Sequence, residues 1–120
     1  MSGNINFNGW LNDDGSENYK CRAWVNFNGT GVVAIRASGN VSSITDGGAA
    51  RYRINLSSAM PDENYVVAGS VNPNGSSGSY MGSGVTTVLG ANTASQVQIE
   101  LRDYTNNYTD TDTVMVAIFR

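Results

Sequence analysis

Gln96-Val97-Gln98-Ile99-Glu100-Leu101-Arg102 alternates apolar and polar residues without a break. Val97, Ile99 and Leu101 fall on one side of an extended chain, and Gln96, Gln98, Glu100 and Arg102 on the other. A period of two is the signature of a strand with one face in a core. Arg51–Leu56 repeats the pattern, with Tyr52, Ile54 and Leu56 inward and Arg51, Arg53 and Asn55 outward. Arg22–Phe27 does so again, with Ala23, Val25 and Phe27 on one face and Arg22, Trp24 and Asn26 on the other. Around these lie further Val-, Ile- and Tyr-rich segments at Val32–Ala37, Asn40–Thr45, Asn64–Val71, Tyr80–Leu89 and Thr113–Phe119. Asn28-Gly29-Thr30-Gly31, Ser38-Gly39, Asp46-Gly47-Gly48 and Met60-Pro61-Asp62-Glu63 separate them with turn chemistry. No segment carries a useful helical period. The expected fold is all-β, an antiparallel, jelly-roll-like β-sandwich over residues 21–120.

Three segments are apolar on both faces: Val32–Ile35, Tyr65–Ala68 and Val114–Phe119. The outer face of a lone antiparallel sandwich is normally polar. Something must cover these strands, either another sheet of the chain or another copy of it. Trp24 lies opposite the core face of its own strand and points to the second option. Trp24, Val66, Met115 and Phe119 are therefore candidate interface residues. Trp24→Ala and Val116→Asp are expected to weaken assembly more than the monomer fold.

Residues 1–20 differ in character. Asn4–Leu11 alternates like a short strand and Asn12-Asp13-Asp14-Gly15 reads as a turn. This segment is expected to be either an N-terminal arm, docking through Ile5, Phe7 and Trp10, or an ordinary edge hairpin.

The 120 residues suffice for one domain. Only 14% are charged, the formal net charge is −3, and Lys20 is the single lysine. No run of basic residues occurs, which argues against nucleic acid and against an anionic membrane surface. No apolar stretch is long enough for a membrane helix, and Met1–Asn6 lacks the pattern of a signal peptide. Cys21 is the only cysteine and is expected to be a small buried residue.

Histidine is absent, which removes Ser-His-Asp and Cys-His catalysis and His-based metal sites. The carboxylates lie mostly in turns. Asp62 with Glu100 is the one glycosidase-like pair worth naming, and Asp110-Thr111-Asp112 the one weak Ca²⁺ candidate. Neither has mechanistic spacing, and the expectation is a non-enzymatic protein with no cofactor and no metal. Tyr104, Asn106, Asn107 and Tyr108, with Tyr80, carry rings and amides of the kind that bind glycans. Plain packing of tyrosine at strand ends is an equal alternative.

Ala23-Trp24-Val25-Asn26-Phe27-Asn28-Gly29-Thr30-Gly31, then Val33–Ser38, Asn40–Asp46, Tyr52–Asn55, Ala59–Tyr65 and the closing Val114–Arg120 form a recognisable series. It resembles the C-terminal domain of tail-fibre-like virion proteins of tailed bacteriophages, especially marine and cyanobacterial ones. The resemblance spans residues 21–120 and is specific in the first half. It implies a homotrimeric β-domain on the virion, touching host-surface polysaccharide and other virion proteins. The alternative is a capsid decoration protein or tail adaptor that stabilises the particle by oligomerising on it.

Overall fold

The computed structural model describes residues 13–16, 21–71, 79–83, 92–103 and 107–120, with residues 79–83 as backbone. Among them are eight strands: β1 (Cys21–Asn28), β2 (Ala34–Gly39), β3 (Val41–Asp46), β4 (Arg51–Leu56), β5 (Val66–Val71), β6 (Ser79–Ser83), β7 (Gln96–Asp103) and β8 (Val114–Phe119). No described residue is helical. The strands form two four-stranded sheets in the orders β2-β1-β8-β5 and β3-β4-β7-β6. Every pairing is antiparallel.

The alternation read from the sequence decides which faces meet. Ala23, Val25 and Phe27 of β1 and Val114, Val116 and Ile118 of β8 point inward from one sheet. Tyr52, Ile54 and Leu56 of β4 and Val97, Ile99 and Leu101 of β7 point inward from the other. Among the described residues, the sixteen buried apolar side chains form one core. Each large aliphatic side chain hidden there contributes roughly 1.5–3 kcal/mol. The Phe27 and Tyr52 rings meet across the sheets edge to face, with centroids 5.2 Å apart.

The registers sort the loops into two groups. Among the described residues, Asn40, 57–65 and 92–95 lie at one end of the sandwich, and 29–33, 47–50 and 107–113 at the other. At the first end the chain passes from one sheet to the other through Asn40, whose φ of 58° suits an asparagine. Its side chain holds the corner: Nδ2 donates to the carbonyls of Arg22 and Ser58, and Oδ1 accepts from the Ser58 N–H. The sequence placed this break at Ser38-Gly39. Gly39 instead stays in β2 opposite Trp24, where a Cβ would collide with the indole. Glycine here is the seat of a tryptophan, not a turn.

Three expectations need correction. Val32 is 88% exposed and β2 starts only at Ala34, so the segment Val32–Ile35 is largely loop. Cys21 is exposed, not buried. It begins β1 just before a register shift at Arg22, which turns it out of the alternation that buries Ala23. Val116 points into the core and is 4% exposed, so it belongs to the fold and not to any interface. The turn at Asp13–Ser16 is present, closed by Asp14 Oδ1 accepting from the Ser16 N–H.

The C-terminus is clamped by an ion pair. Arg120 donates to both carboxylate oxygens of Asp62, each at 3.0 Å. These bonds, with the Asn64 N–H, hold the Asp62 carboxyl down at about 2. In the unfolded chain it titrates at about 3.9. Its stabilising contribution is complete above that value and is lost as pH falls toward 2. Urea midpoints measured between pH 5 and 2 should therefore fall more steeply for the native chain than for Asp62→Asn. The effect is small, because the pair is partly exposed.

Candidate functional site

The outer faces of the two sheets carry opposite chemistries. On the sheet β2-β1-β8-β5 the outward residues are mostly apolar. Trp24, Val66 and Phe119 are 44%, 63% and 40% exposed, and Met115 is half-buried beside them. Register brings them together: Trp24 lies opposite Ala117, Asn26 opposite Met115, and Val66 opposite Phe119. The result is a groove of about 490 Å³ across β1, β8 and β5. Trp24, Ala68, Met115, Ala117 and Phe119 line it, with Asn26 and Ser70, and none of its lining residues is charged. All four interface residues expected from the sequence thus share one face. Arg36 stands at the rim. A register shift between Asn26 and Phe27 leaves it unpaired in β2, and its guanidinium donates to Asn26 Oδ1 and to the Asp112 carbonyl.

On the sheet β3-β4-β7-β6 the outward residues are polar. Ser43, Thr45 and Asn55 form a small network, with Asn55 Nδ2 donating to both hydroxyls and Gln96 Nε2 donating to Asn55 Oδ1. Further along stand Arg51, Arg53, Gln98, Glu100 and Arg102. The sequence expected these β7 residues to face solvent. They do point outward, but Gln98 is 2% and Glu100 7% exposed. Among the described residues Gln98 Oε1 has no hydrogen-bond partner, an arrangement that costs about 1–3 kcal/mol.

Tyr108 closes this cluster. The chain after β7 folds back, so that Tyr108 bridges Arg102 and the Thr109 N–H donates to the Leu101 carbonyl. The Tyr108 ring centroid lies 4.2 Å from the Arg102 guanidinium carbon and 4.8 Å from that of Arg51. Arg102 pairs with Glu100 at 3.0 Å and donates to the Tyr108 hydroxyl at 2.9 Å. Arg51 is set in place by the residue before it. Ala50 is fully buried with a φ of 55°, a conformation that costs a non-glycine residue about 1–2 kcal/mol. Asp110 compensates by accepting from the Ala50 N–H at 2.7 Å.

Of the glycan candidates, Tyr104 and Asn106 lie outside the described residues, as do Ile5, Phe7 and Trp10 of the arm. Tyr80 pairs with Arg102 in the β6–β7 ladder, which brings its backbone to the same end as Tyr108. The Asn107 N–H donates to Asp103 Oδ1. Tyr108 is 39% exposed, but its ring is committed to two guanidiniums and is not a free platform for a sugar. Alternation placed Arg51 and Arg102 outward on their own strands, but only the register of β4 against β7 makes them neighbours.

Of the other carboxylates considered, three are occupied, and Asp112 Oδ1 is buried without a hydrogen-bond partner among the described residues. Asp62 holds Arg120, Glu100 holds Arg102, and Asp110 holds Ala50 and Tyr52. Among the described residues no group of three or more His, Cys, Asp or Glu is placed to hold a metal ion. No protein-family model, curated protein or solved structure matches this chain.

Proposed function

We propose that this chain is a non-enzymatic virion protein of a tailed bacteriophage, a tail-fibre-type module that assembles with copies of itself and contacts host-surface glycan. One observation carries the assembly: the charge-free groove across the outer face of β1, β8 and β5, rimmed by Trp24, Val66 and Phe119. Exposed contiguous apolar surface of this kind marks an interaction site. A second copy is the occupant, since a groove whose lining carries no charge needs no complementary charge on its partner. The homotrimer, and the location on the virion, follow from the resemblance of residues 21–120 to tail-fibre domains. The neighbouring placement of β1 with β8 and β4 with β7 supports a jelly-roll-like winding. The loops at the end that holds Tyr108 would face the host.

The test is solution mass by light scattering across a dilution series. A trimer that persists on dilution supports the reading. A monomer at every concentration overturns self-assembly and favours the second reading, a decoration protein or tail adaptor whose apolar face is covered only on the particle.

A further inference from the structure

Arg51, Arg53 and Arg102 are three of the seven cationic side chains in a chain of net charge −3. They stand on one face of β4 and β7, where register sets Arg51 opposite Glu100 and Arg53 opposite Gln98. Glu100 is the only carboxylate that β3, β4 and β7 place on that face. Asp46 pairs with Tyr52 and so shares its inward side, and Asp103 follows the inward alternation of Leu101. Asp110 is turned to the Ala50 N–H and the Tyr52 hydroxyl. On these three strands, three positive charges stand against one carboxylate, on an acidic protein.

The charge is also held tightly. Two guanidiniums lie within 5 Å of one tyrosine ring, and only one of them has a counter-ion. Arg102 has Glu100. The Arg51 side chain makes no hydrogen bond and no ion pair among the described residues, and its buried Nε is without a partner. Arginine stacked on an aromatic ring keeps its donor fork edge-on and preorganised, which suits a planar carboxylate. A guanidinium of this kind, with no hydrogen bond or ion pair among the described residues, is suited to receive a carboxylate.

We propose that Arg51, with Arg102 and Tyr108 as its support, binds the carboxylate of an acidic polysaccharide. The proposal rests on the glycan-contact reading and narrows it from hydroxyl recognition to uronic-acid-type sugars. Nucleic acid is the less suitable polyanion. Three arginines on a chain of pI about 4.6 offer few phosphate contacts, and the ring that could stack a base is already covered by guanidinium.

The experiment is affinity electrophoresis of the intact chain through gels containing polygalacturonate, dextran sulfate, neutral dextran or single-stranded DNA. Retardation by polygalacturonate is expected, with neutral dextran without effect. Arg51→Gln should weaken polygalacturonate binding at least tenfold and Arg51→Lys by less. Arg36→Gln, which makes the same change of net charge on the opposite sheet, should bind as the native chain does. Thermal unfolding of each variant confirms that it is folded. Binding to neutral dextran alone would overturn the carboxylate site and leave glycan contact standing. Binding to none of the polysaccharides would sink both. Preference for DNA or dextran sulfate over polygalacturonate, or equal losses in the Arg51 and Arg36 variants, would also overturn the proposal.

Discussion

Phe119→Asp and Val66→Asp should yield folded protein that no longer assembles, and Val116→Asp should yield no stable fold. The two outcomes come from positions on opposite faces of one sheet. Phe119 and Val66 are cross-strand neighbours on the outer face, 40% and 63% exposed. A carboxylate there stays in water in the monomer, and surface changes of this sort move stability by only about 0.5 kcal/mol. In the assembly each copy brings a charge into an apolar contact with no partner for it, which costs several kcal/mol. At Val116, 4% exposed, the same carboxylate is forced between the sheets. A penalty above about 4 kcal/mol is a large share of the roughly 5–15 kcal/mol that holds a domain together. Light scattering reads the first pair and circular dichroism the second. Phe119→Asp that stays oligomeric would remove the groove from the interface. Trp24→Ala is the less clean probe, since the indole also covers Gly39.

Tyr52→Ala should be the most damaging single truncation at the loop-rich end, and Tyr52→Phe should separate its two roles. The ring packs on Phe27 and is 1% exposed. The hydroxyl donates to the Gly29 carbonyl at 2.6 Å and reaches Asp110 Oδ1 at 3.0 Å. Asp110 in turn holds Ala50 in its left-handed conformation. Gly29 fits only because it has no Cβ, which would collide with the Tyr52 hydroxyl and the Thr111 carbonyl. One phenol therefore ties the loops 29–33, 47–50 and 107–113 together. Removing the whole side chain costs about 3–5 kcal/mol. Removing the hydroxyl costs about 1–3 kcal/mol, since it strands the Gly29 carbonyl. Roughly 4 °C of melting temperature per kcal/mol is expected at this size.

The same residue gives an alkaline signature. Burial, with the nearby Asp110 charge, raises the Tyr52 phenol well above its usual value, and burial pushes Tyr65 up to about 12. Unfolded tyrosine titrates near 10. Both contributions are therefore complete below about pH 10 and are lost as pH rises through the higher folded values. Denaturant midpoints should decline above pH 10, and Tyr52→Phe should flatten part of that decline. An identical slope in the variant would mean that Tyr52 ionises as freely in the folded protein as in the unfolded chain.

Strand content was legible because alternation is a local property. The period-two patterns of Arg22–Phe27, Arg51–Leu56 and Gln96–Arg102 state which side chains face inward before any partner is known. So does the segregation of Trp24, Met115 and Phe119 from Val25, Val116 and Ile118, and the apolar outer face followed from it. The misjudged positions are those where neighbours override local pattern. A register shift turned Cys21 outward, a tryptophan claimed Gly39, and reading Val116 as an interface residue ignored its own alternation. The arginine face was beyond the sequence altogether. Residue 51 meets residue 102 over Tyr108 only because β4 and β7 pair in one particular register, and register is fixed by the whole hydrophobic pattern of both sheets at once. Periodicity alone thus decided the fold class and the faces of each strand. Tertiary pairing decided which charges became neighbours, because electrostatic proximity depends on distance in space and not on separation along the chain.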